Sequence, residues 1–293
     1  MELFRSRIAP TPSGFLHRGN LYNFLLTALI THHNQGELRL RIDDMDAQRV
    51  QPAYLEDIFK TLNWLGISWQ QGPETITEHE QHFSQRHRML LYESVLSSLI
   101  NGVEVYACTC SRKELVEHGQ RVYSGICRNK RIPMHTPHAA WRVHVPSDTE
   151  IRWKDEAAGT VTVNLGKQLG DFIIRRKDGL PAYQLVSLAD DLLYQTNYIV
   201  RGADLMESTA AQKWLAQKLD NKDFSKIKWY HHPLLMQENG EKLSKSAAGN
   251  TAISIRQQES DTGQIIAGFV KWMGWNIKAQ NIDELFRNSK IIS

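Results

Sequence analysis

The amino-acid sequence predicts an α/β fold: a parallel sheet covered by helices, interrupted by an insertion and closed by a short helical region. Three observations predict it. Strand-like and helix-like segments alternate over the first 97 residues, the pattern breaks between 98 and 170, and strand and helix signals return from Asp171. Phe4 to Ala9 reads as a strand, and Pro10, Pro12 and Gly14 make a turn. From His17 the apolar residues recur as Leu21, Phe24, Leu25, Ala28 and Leu29, which is helical spacing, and Asn34-Gln35-Gly36 stops that helix. Leu38, Leu40 and Ile42 alternate with polar residues as in a strand, and Tyr54, Ile58, Phe59, Leu62 and Leu65 form a second helical face. A strand-helix-strand-helix order of this kind calls for parallel strands, because the crossover helix returns the chain to the same end of the sheet.

The segment from 98 to 170 holds short strand-like runs such as Ala140 to Val145, many turn residues and every cysteine of the chain. It reads as an insertion between a first half (1–97) and a second half (171–225) of one sheet domain. The second half contains Asp171 to Arg175, the Tyr183 to Leu193 run and Tyr198-Ile199-Val200. The remainder, 226–293, is helical around Ile265 to Trp275.

The chain has 293 residues, 41% of them apolar and 23% charged, the balance of a globular protein of about two domains. No apolar run approaches the ~18 residues of a membrane span. The start, Met-Glu-Leu-Phe-Arg-Ser-Arg, lacks the apolar stretch of a secretion signal, so the expected location is cytoplasmic. A net charge of +3 says little by itself. Two local clusters say more: Arg128, Lys130 and Arg131, and Arg175, Arg176 and Lys177. Each is either a solvated loop or a contact for a polyanion such as RNA.

Two short motifs carry phosphate chemistry. A strand, a glycine-containing turn and a helix start make an anion site, because helix N-terminal N–H groups and the helix dipole favour negative charge. Here Gly14 and Gly19 let the backbone come close to a ligand, His17 offers a donor for a phosphate oxygen, and Asn20 adds a polar contact. Alone, such a histidine is more often a surface residue. The second motif is Lys242-Leu243-Ser244-Lys245-Ser246 in a small-residue loop. Lys242 and Lys245 with the Ser244 hydroxyl can wrap a triphosphate and close on developing charge. Alone, it is equally an exposed charged loop. The pair is far more specific than either part.

With both motifs in place the sequence resembles a family. Arg7-Ile8-Ala9-Pro10-Thr11-Pro12-Ser13-Gly14, Leu16-His17-Arg18-Gly19-Asn20 and Arg41-Ile42-Asp43-Asp44-Met45-Asp46 resemble the start of glutamyl-tRNA synthetases, which are class I enzymes with a Rossmann-type catalytic domain. So do Asp171-Phe172-Ile173-Ile174, Asp178-Gly179-Leu180-Pro181-Ala182-Tyr183, Asp190-Asp191, Arg201-Gly202-Ala203-Asp204-Leu205 and the lysine loop, all in the family's order. Only 47 residues follow Ser246, too few for the anticodon-binding region of a full synthetase. The resemblance is therefore closest to the truncated paralogues, the glutamyl-queuosine tRNA(Asp) synthetases. It implies ATP with Mg2+ and L-glutamate as substrates, tRNA-independent formation of glutamyl-adenylate, and transfer of glutamate to the queuosine of tRNA(Asp). It also implies a monomer. An ordinary glutamyl-tRNA synthetase core remains the alternative, and a non-catalytic tRNA-binding relative is a second one.

The resemblance implies catalytic roles for His17, Lys242 and Lys245 and glutamate contacts at Arg7, Ile8, Ala9, Pro10, Thr11, Asp43, Tyr183 and Arg201. Arginines suit a substrate with two carboxylates, since the guanidinium makes bidentate contacts. Two positions depart from the family: Thr11 stands where serine is usual, and Asp43 where glutamate is usual. Cys108, Cys110 and Cys127 lie within twenty residues of each other. An odd number argues against a disulfide framework, and the clustering points to a structural Zn2+ that needs a fourth ligand. By residue chemistry His118 is the natural choice; the resemblance implies Tyr123 instead.

Overall fold

A computed structural model gives the fold and describes residues 2–111, 114, 122–235, 253–259 and 261–289. The lysine loop with Lys242, Ser244 and Lys245, and His118, lie outside the described residues. The main elements in chain order are β1 (Arg5–Ile8), α1 (Arg18–His33), β2 (Glu37–Leu40), α2 (Pro52–Trp64), α3 (Met89–Gly102), β3 (Val105–Cys108), β4 (Ala140–Val143), β5 (Glu150–Asp155) and β6 (Gly159–Asn164). They continue with β7 (Ile173–Arg175), α4 (Tyr183–Leu193), β8 (Tyr198–Gly202), α5 (Met206–Lys218), β9 (Lys228–His232), α6 (Thr262–Trp272) and α7 (Ile282–Asn288). The chain forms two units: Met1–His87 with Asn197–Ala203 and His232–Ser293, and Arg88–Thr196 with Asp204–His231. No described helix is long and apolar enough to cross a membrane.

In the first unit β1 and β2 pair in parallel, from Arg5 against Glu37 to Ile8 against Leu40, with α1 as the crossover. This is the arrangement the alternating pattern predicts. Asn197, just ahead of β8, brackets the start of β1: its side-chain oxygen accepts from the Arg5 amide at 2.8 Å and its own amide donates to the Arg5 carbonyl at 3.0 Å. The α1 helix is buried on more than the face its apolar spacing marks. Thr27 and Thr31 are also inside, their hydroxyls donating to the carbonyls one turn back at 2.7 and 2.8 Å. The C-terminal helices cover it. Tyr22 packs on Phe269 and Trp272 of α6, and His32 stacks on Phe286 of α7 with centroids 4.3 Å apart.

In the second unit β3, β4 and β7 form an antiparallel sheet, and β5 and β6 form a hairpin whose turn places Gly159 at φ 73°. A buried carboxylate ties its helices together: Asp190 of α4 accepts from Tyr92 of α3 at 2.7 Å and bidentately from Arg88 at 2.8 and 3.1 Å.

Candidate active site and cysteine cluster

The phosphate turn ends in a closed cap. His17 is the N-cap of α1, with extended backbone at φ −120° and ψ 167°. Its Nδ1 accepts from the Gly19 amide at 3.1 Å, and the Asn20 side-chain oxygen accepts from the His17 amide at 3.1 Å. This is a capping box with histidine and asparagine in the usual serine and glutamate places. Because Nδ1 accepts, the ring proton sits on Nε2, on the far side of the ring from the cap. Gly19 also packs against the His17 ring. A Cβ on it would lie 3.0 Å from His17 Cε1 and 3.1 Å from Nδ1, so any other residue forces the ring to give way by a few tenths of an ångström.

The turn is anchored from behind by Asp57 of α2, whose carboxylate is almost fully buried. Its Oδ2 accepts from the Leu16 amide at 3.2 Å, and its Oδ1 accepts from Arg256 Nη2 at 3.1 Å and from the Ser254 hydroxyl. Arg256 Nε also donates to Thr61 Oγ1 at 3.2 Å. Ser254 and Arg256 follow directly on the segment that carries the lysine loop. Arg18, next to His17, pairs with Glu259 of that same stretch. Asp57 thus ties the stem of one phosphate motif to the stem after the other. Nothing in the sequence marks it, since one aspartate on an amphipathic helix reads as a solvated residue.

Arg7 on β1 and Arg201 on β8 are both buried, and Arg7 Nη1 donates to the Val200 carbonyl at 3.5 Å. Ile8 ends β1, and Ala9, Pro10 and Thr11 lead out of it. Asp43 is held to this exit, its amide donating to the Pro10 carbonyl at 2.9 Å. Its carboxylate is clamped by Arg41, through Nε at 2.7 Å and Nη2 at 3.2 Å, with Gln85 Nε2 at 3.2 Å. Asp44 beside it is buried. Burial would raise its pKa, but hydrogen bonds from His79, Ser84 and the Gln85 amide outweigh that and hold it below the usual carboxylate value. Tyr183 is the first residue of α4 in the second unit and is 43% exposed.

Also in the second unit, the three cysteine sulfurs lie within 4.8 Å of one another. Cys110 Sγ is 3.4 Å from Cys127 Sγ. The Tyr123 hydroxyl oxygen is 3.4 Å from Cys108 Sγ and 3.8 Å from Cys110 Sγ, and it accepts from the Cys127 amide at 2.9 Å. A tetrahedral ion with about 2.3 Å bonds to sulfur and about 2.0 Å to oxygen sets the ligands roughly 3.8 Å apart for S···S and 3.5 Å for S···O. The Cys110–Cys127 separation and the two distances to the Tyr123 oxygen lie within about 0.4 Å of these values, so the donor set is compatible with such an ion. Ionisation is uneven across it. Burial would raise the Cys127 thiol, yet hydrogen bonds with Tyr123 and Cys110 bring it down to about 7. Burial, with Cys127 next, pushes Cys110 up to about 11, and burial, with Cys108 next, raises Tyr123. Crowded thiols cannot all lose protons without a cation among them. Behind the cluster the Arg142 guanidinium lies 3.8 Å over the Tyr123 ring and donates to the Asp171 carbonyl at 2.7 Å. The buried Asp171 carboxylate accepts from Arg128 at 2.8 and 3.1 Å, from the Val145 amide at 2.9 Å and from Tyr106.

Comparison with known proteins identifies the family. The family described as tRNA synthetases class I (E and Q), catalytic domain, matches residues 4–293. A glutamyl-Q tRNA(Asp) synthetase of Pseudomonas syringae pv. syringae is 39% identical over 241 residues, covering 82% of this chain and 76% of its own. One from Pseudomonas putida strain W619 is 40% identical over 240 residues with the same coverage. Among solved structures, a glutamate-tRNA synthetase from Elizabethkingia anophelis has the same fold, with a TM-score of 0.80 at 23% identity. That match covers 99% of this chain and 66% of the other, so the chain spans just under two thirds of that protein. The chain belongs to the class I tRNA synthetases of the glutamate and glutamine family, and is a ligase alongside the glutamyl-Q tRNA(Asp) synthetases it resembles.

Proposed function

We propose that this protein activates L-glutamate with ATP in the absence of tRNA and transfers it to the queuosine of tRNA(Asp). The observation that carries this reading is the 39–40% identity to glutamyl-Q tRNA(Asp) synthetases over 82% of the chain. In the first step a glutamate carboxylate oxygen attacks the α-phosphorus of ATP, and the bond to pyrophosphate breaks. His17 donates through Nε2 to a phosphate oxygen, from a helix start that Asn20 and Gly19 hold in shape. Lys242 and Lys245 neutralise the leaving pyrophosphate, and the Ser244 hydroxyl donates a hydrogen bond to it. Stabilising charge that develops only in the transition state is what raises the rate. Mg2+ bound with ATP supplies further charge. Arg7 and Arg201 take the glutamate carboxylates, Asp43 its ammonium, and the backbone from Ile8 through Ala9 and Pro10 to Thr11 frames it. Tyr183 joins them through the resemblance alone. In the second step a ring hydroxyl of queuosine attacks the mixed anhydride and releases AMP, whose phosphate takes the hydroxyl proton.

Cys108, Cys110, Tyr123 and Cys127 would hold one Zn2+ with no open coordination position, a structural role within the 98–170 insertion. We place the reaction in the cytoplasm, where tRNA is found, and take the protein to act as a monomer. The test is glutamate labelling of tRNA(Asp) with and without queuosine, beside glutamate-dependent pyrophosphate exchange without tRNA. Exchange without tRNA and labelling only of the queuosine form are expected. Labelling of tRNA(Glu) instead overturns the reading in favour of an ordinary glutamyl-tRNA synthetase core, and no exchange at all favours a tRNA binder.

A further inference from the structure

Arg175 and Lys177 of the second basic cluster line a pocket that none of the assigned roles uses. It measures about 550 Å³ and lies wholly in the second unit, between the loop before β4 and the turn after β7. That volume is within the ~300–1,000 Å³ typical of small-ligand sites. Trp141 forms its apolar wall. The indole is pinned by its N–H to the Met134 carbonyl at 2.9 Å, and the Arg175 guanidinium lies 4.6 Å over the ring. The pairing of β4 with β7 sets this stack, since Trp141 and Arg175 are register partners across the ladder. Around it stand Lys177, His135 and His138, all exposed. Lys177 is steadied by donating to the Thr109 carbonyl at 2.7 Å, between two of the clustered cysteines. His138 is held at φ 57°, a conformation that β-carbon residues rarely adopt. The acid present, Asp178, already accepts from Arg176 at 2.7 Å and from the Leu180 amide at 3.1 Å. The pocket therefore combines a rigid arginine–aromatic stack, two imidazoles and an ammonium, with its carboxylate occupied.

We propose that this pocket takes one unpaired nucleotide of the tRNA substrate. The base stacks on the Arg175–Trp141 pair, and the flanking phosphate meets Lys177 and His135. Unstacked RNA bases are recognised on aromatic and guanidinium planes of this kind, while cations close to the stack track the backbone. The inference rests on the proposed function only in taking tRNA as the substrate. It concerns how the RNA is held and leaves the chemistry to the residues already described.

The test measures the affinity of the full-length protein for queuosine-bearing tRNA(Asp) and for tRNA(Glu) by filter binding. Wild type is compared with Trp141→Ala, Trp141→Phe and Lys177→Gln, with tRNA-free pyrophosphate exchange as the control. Loss of a stacked base should weaken binding of the preferred tRNA by about tenfold or more in Trp141→Ala, with exchange unchanged and Trp141→Phe near wild type. Lys177→Gln should lower the slope of log affinity against log salt by about one. Should Trp141→Ala also lose exchange, the exposed Lys177 variant decides alone. Affinities for both tRNAs within twofold of wild type in every variant would overturn the proposal and leave the pocket to an acidic protein segment. A preference for tRNA(Glu) that senses the substitutions would instead refute the queuosine reading and keep the pocket.

Discussion

Asp57→Asn tests whether the two phosphate motifs share one anchor. The substitution keeps the shape of the side chain and removes its charge. Oδ1 now serves Arg256 and the Ser254 hydroxyl, and Oδ2 serves the Leu16 amide. An amide in its place keeps one acceptor oxygen and turns the other position into an NH2 group, which must face either the Leu16 N–H or the Arg256 guanidinium. At least one donor then loses its partner in a site where the carboxylate side chain is 1% exposed and Arg256 is 24% exposed. A hydrogen bond to a charged group is worth about 1.5–3 kcal/mol, and Arg256 recovers part of its share from solvent, so about 2 kcal/mol is expected. For a unit of this size that is a fall in Tm of about 4–8 °C. The functional readout separates anchoring from plain destabilisation. Pyrophosphate exchange measured well below the new Tm should show a raised KM for ATP with the KM for glutamate unchanged, because Asp57 bonds Leu16, Thr61, Ser254 and Arg256, none of them a proposed glutamate contact. A Tm within about 1 °C of wild type would refute the energetic reasoning. Equal rises in both KM values would refute the anchoring role.

Gly19→Ala should push the His17 ring out of its cap, at a cost of about 1 kcal/mol of helix stability, and lower the rate of pyrophosphate exchange while circular dichroism shows the fold retained. Elemental analysis of the purified protein should find one zinc per chain, and Tyr123→Phe should weaken zinc retention against a chelator; undiminished retention would point to His118 as the fourth ligand. Asp43→Glu, restoring the family's longer carboxylate, should lower the KM for glutamate in the exchange assay, and an unchanged or higher value would sink the idea. Asp44 has its folded-state pKa below the ordinary 3.8, so its stabilisation is complete above that value and is lost as pH falls through the folded-state pKa. Urea unfolding followed into the acid range should therefore show a shallower loss of stability in Asp44→Asn than in wild type.

Much of the frame was legible because it is written in local patterns. The strand at Arg5–Ile8, the turn through Pro10 and Pro12 and the helix starting after His17 all follow from spacing and breakers within thirty residues of one another. The cysteine cluster was legible for a different reason: sulfur is rare, and three residues within twenty positions need no fold to bring them close. What stayed hidden are carboxylates whose partners come from far along the chain. Asp57 meets Leu16 at a separation of 41 residues and Arg256 at 199, and Asp171 meets Tyr106 at 65. Such residues have no period and no neighbour to mark them. Arg41 was in view as part of a matched motif, but its grip on Asp43 depends on the bend after β2, which spacing does not encode. Asn20 shows a subtler limit: the same polar side chain suits a ligand contact or a cap, and the cap bond to its oxygen emerges only from the geometry.

The histidine cap narrows what evolution or an engineer can place at position 17. One ring nitrogen faces inward and must accept, while the other carries the proton on the opposite side. Serine, threonine, asparagine or aspartate would satisfy the inward demand with a short side chain and have nothing left to extend toward a phosphate. Lysine, arginine or glutamine would extend, but the two cations have no acceptor to close the cap, and glutamine is too flexible to serve both ends at once. Imidazole is the side chain that offers an acceptor and a donor rigidly set on opposite edges of one small ring. The tolerated alphabet at this position therefore shrinks to a single letter once the cap and the proposed phosphate contact are both required.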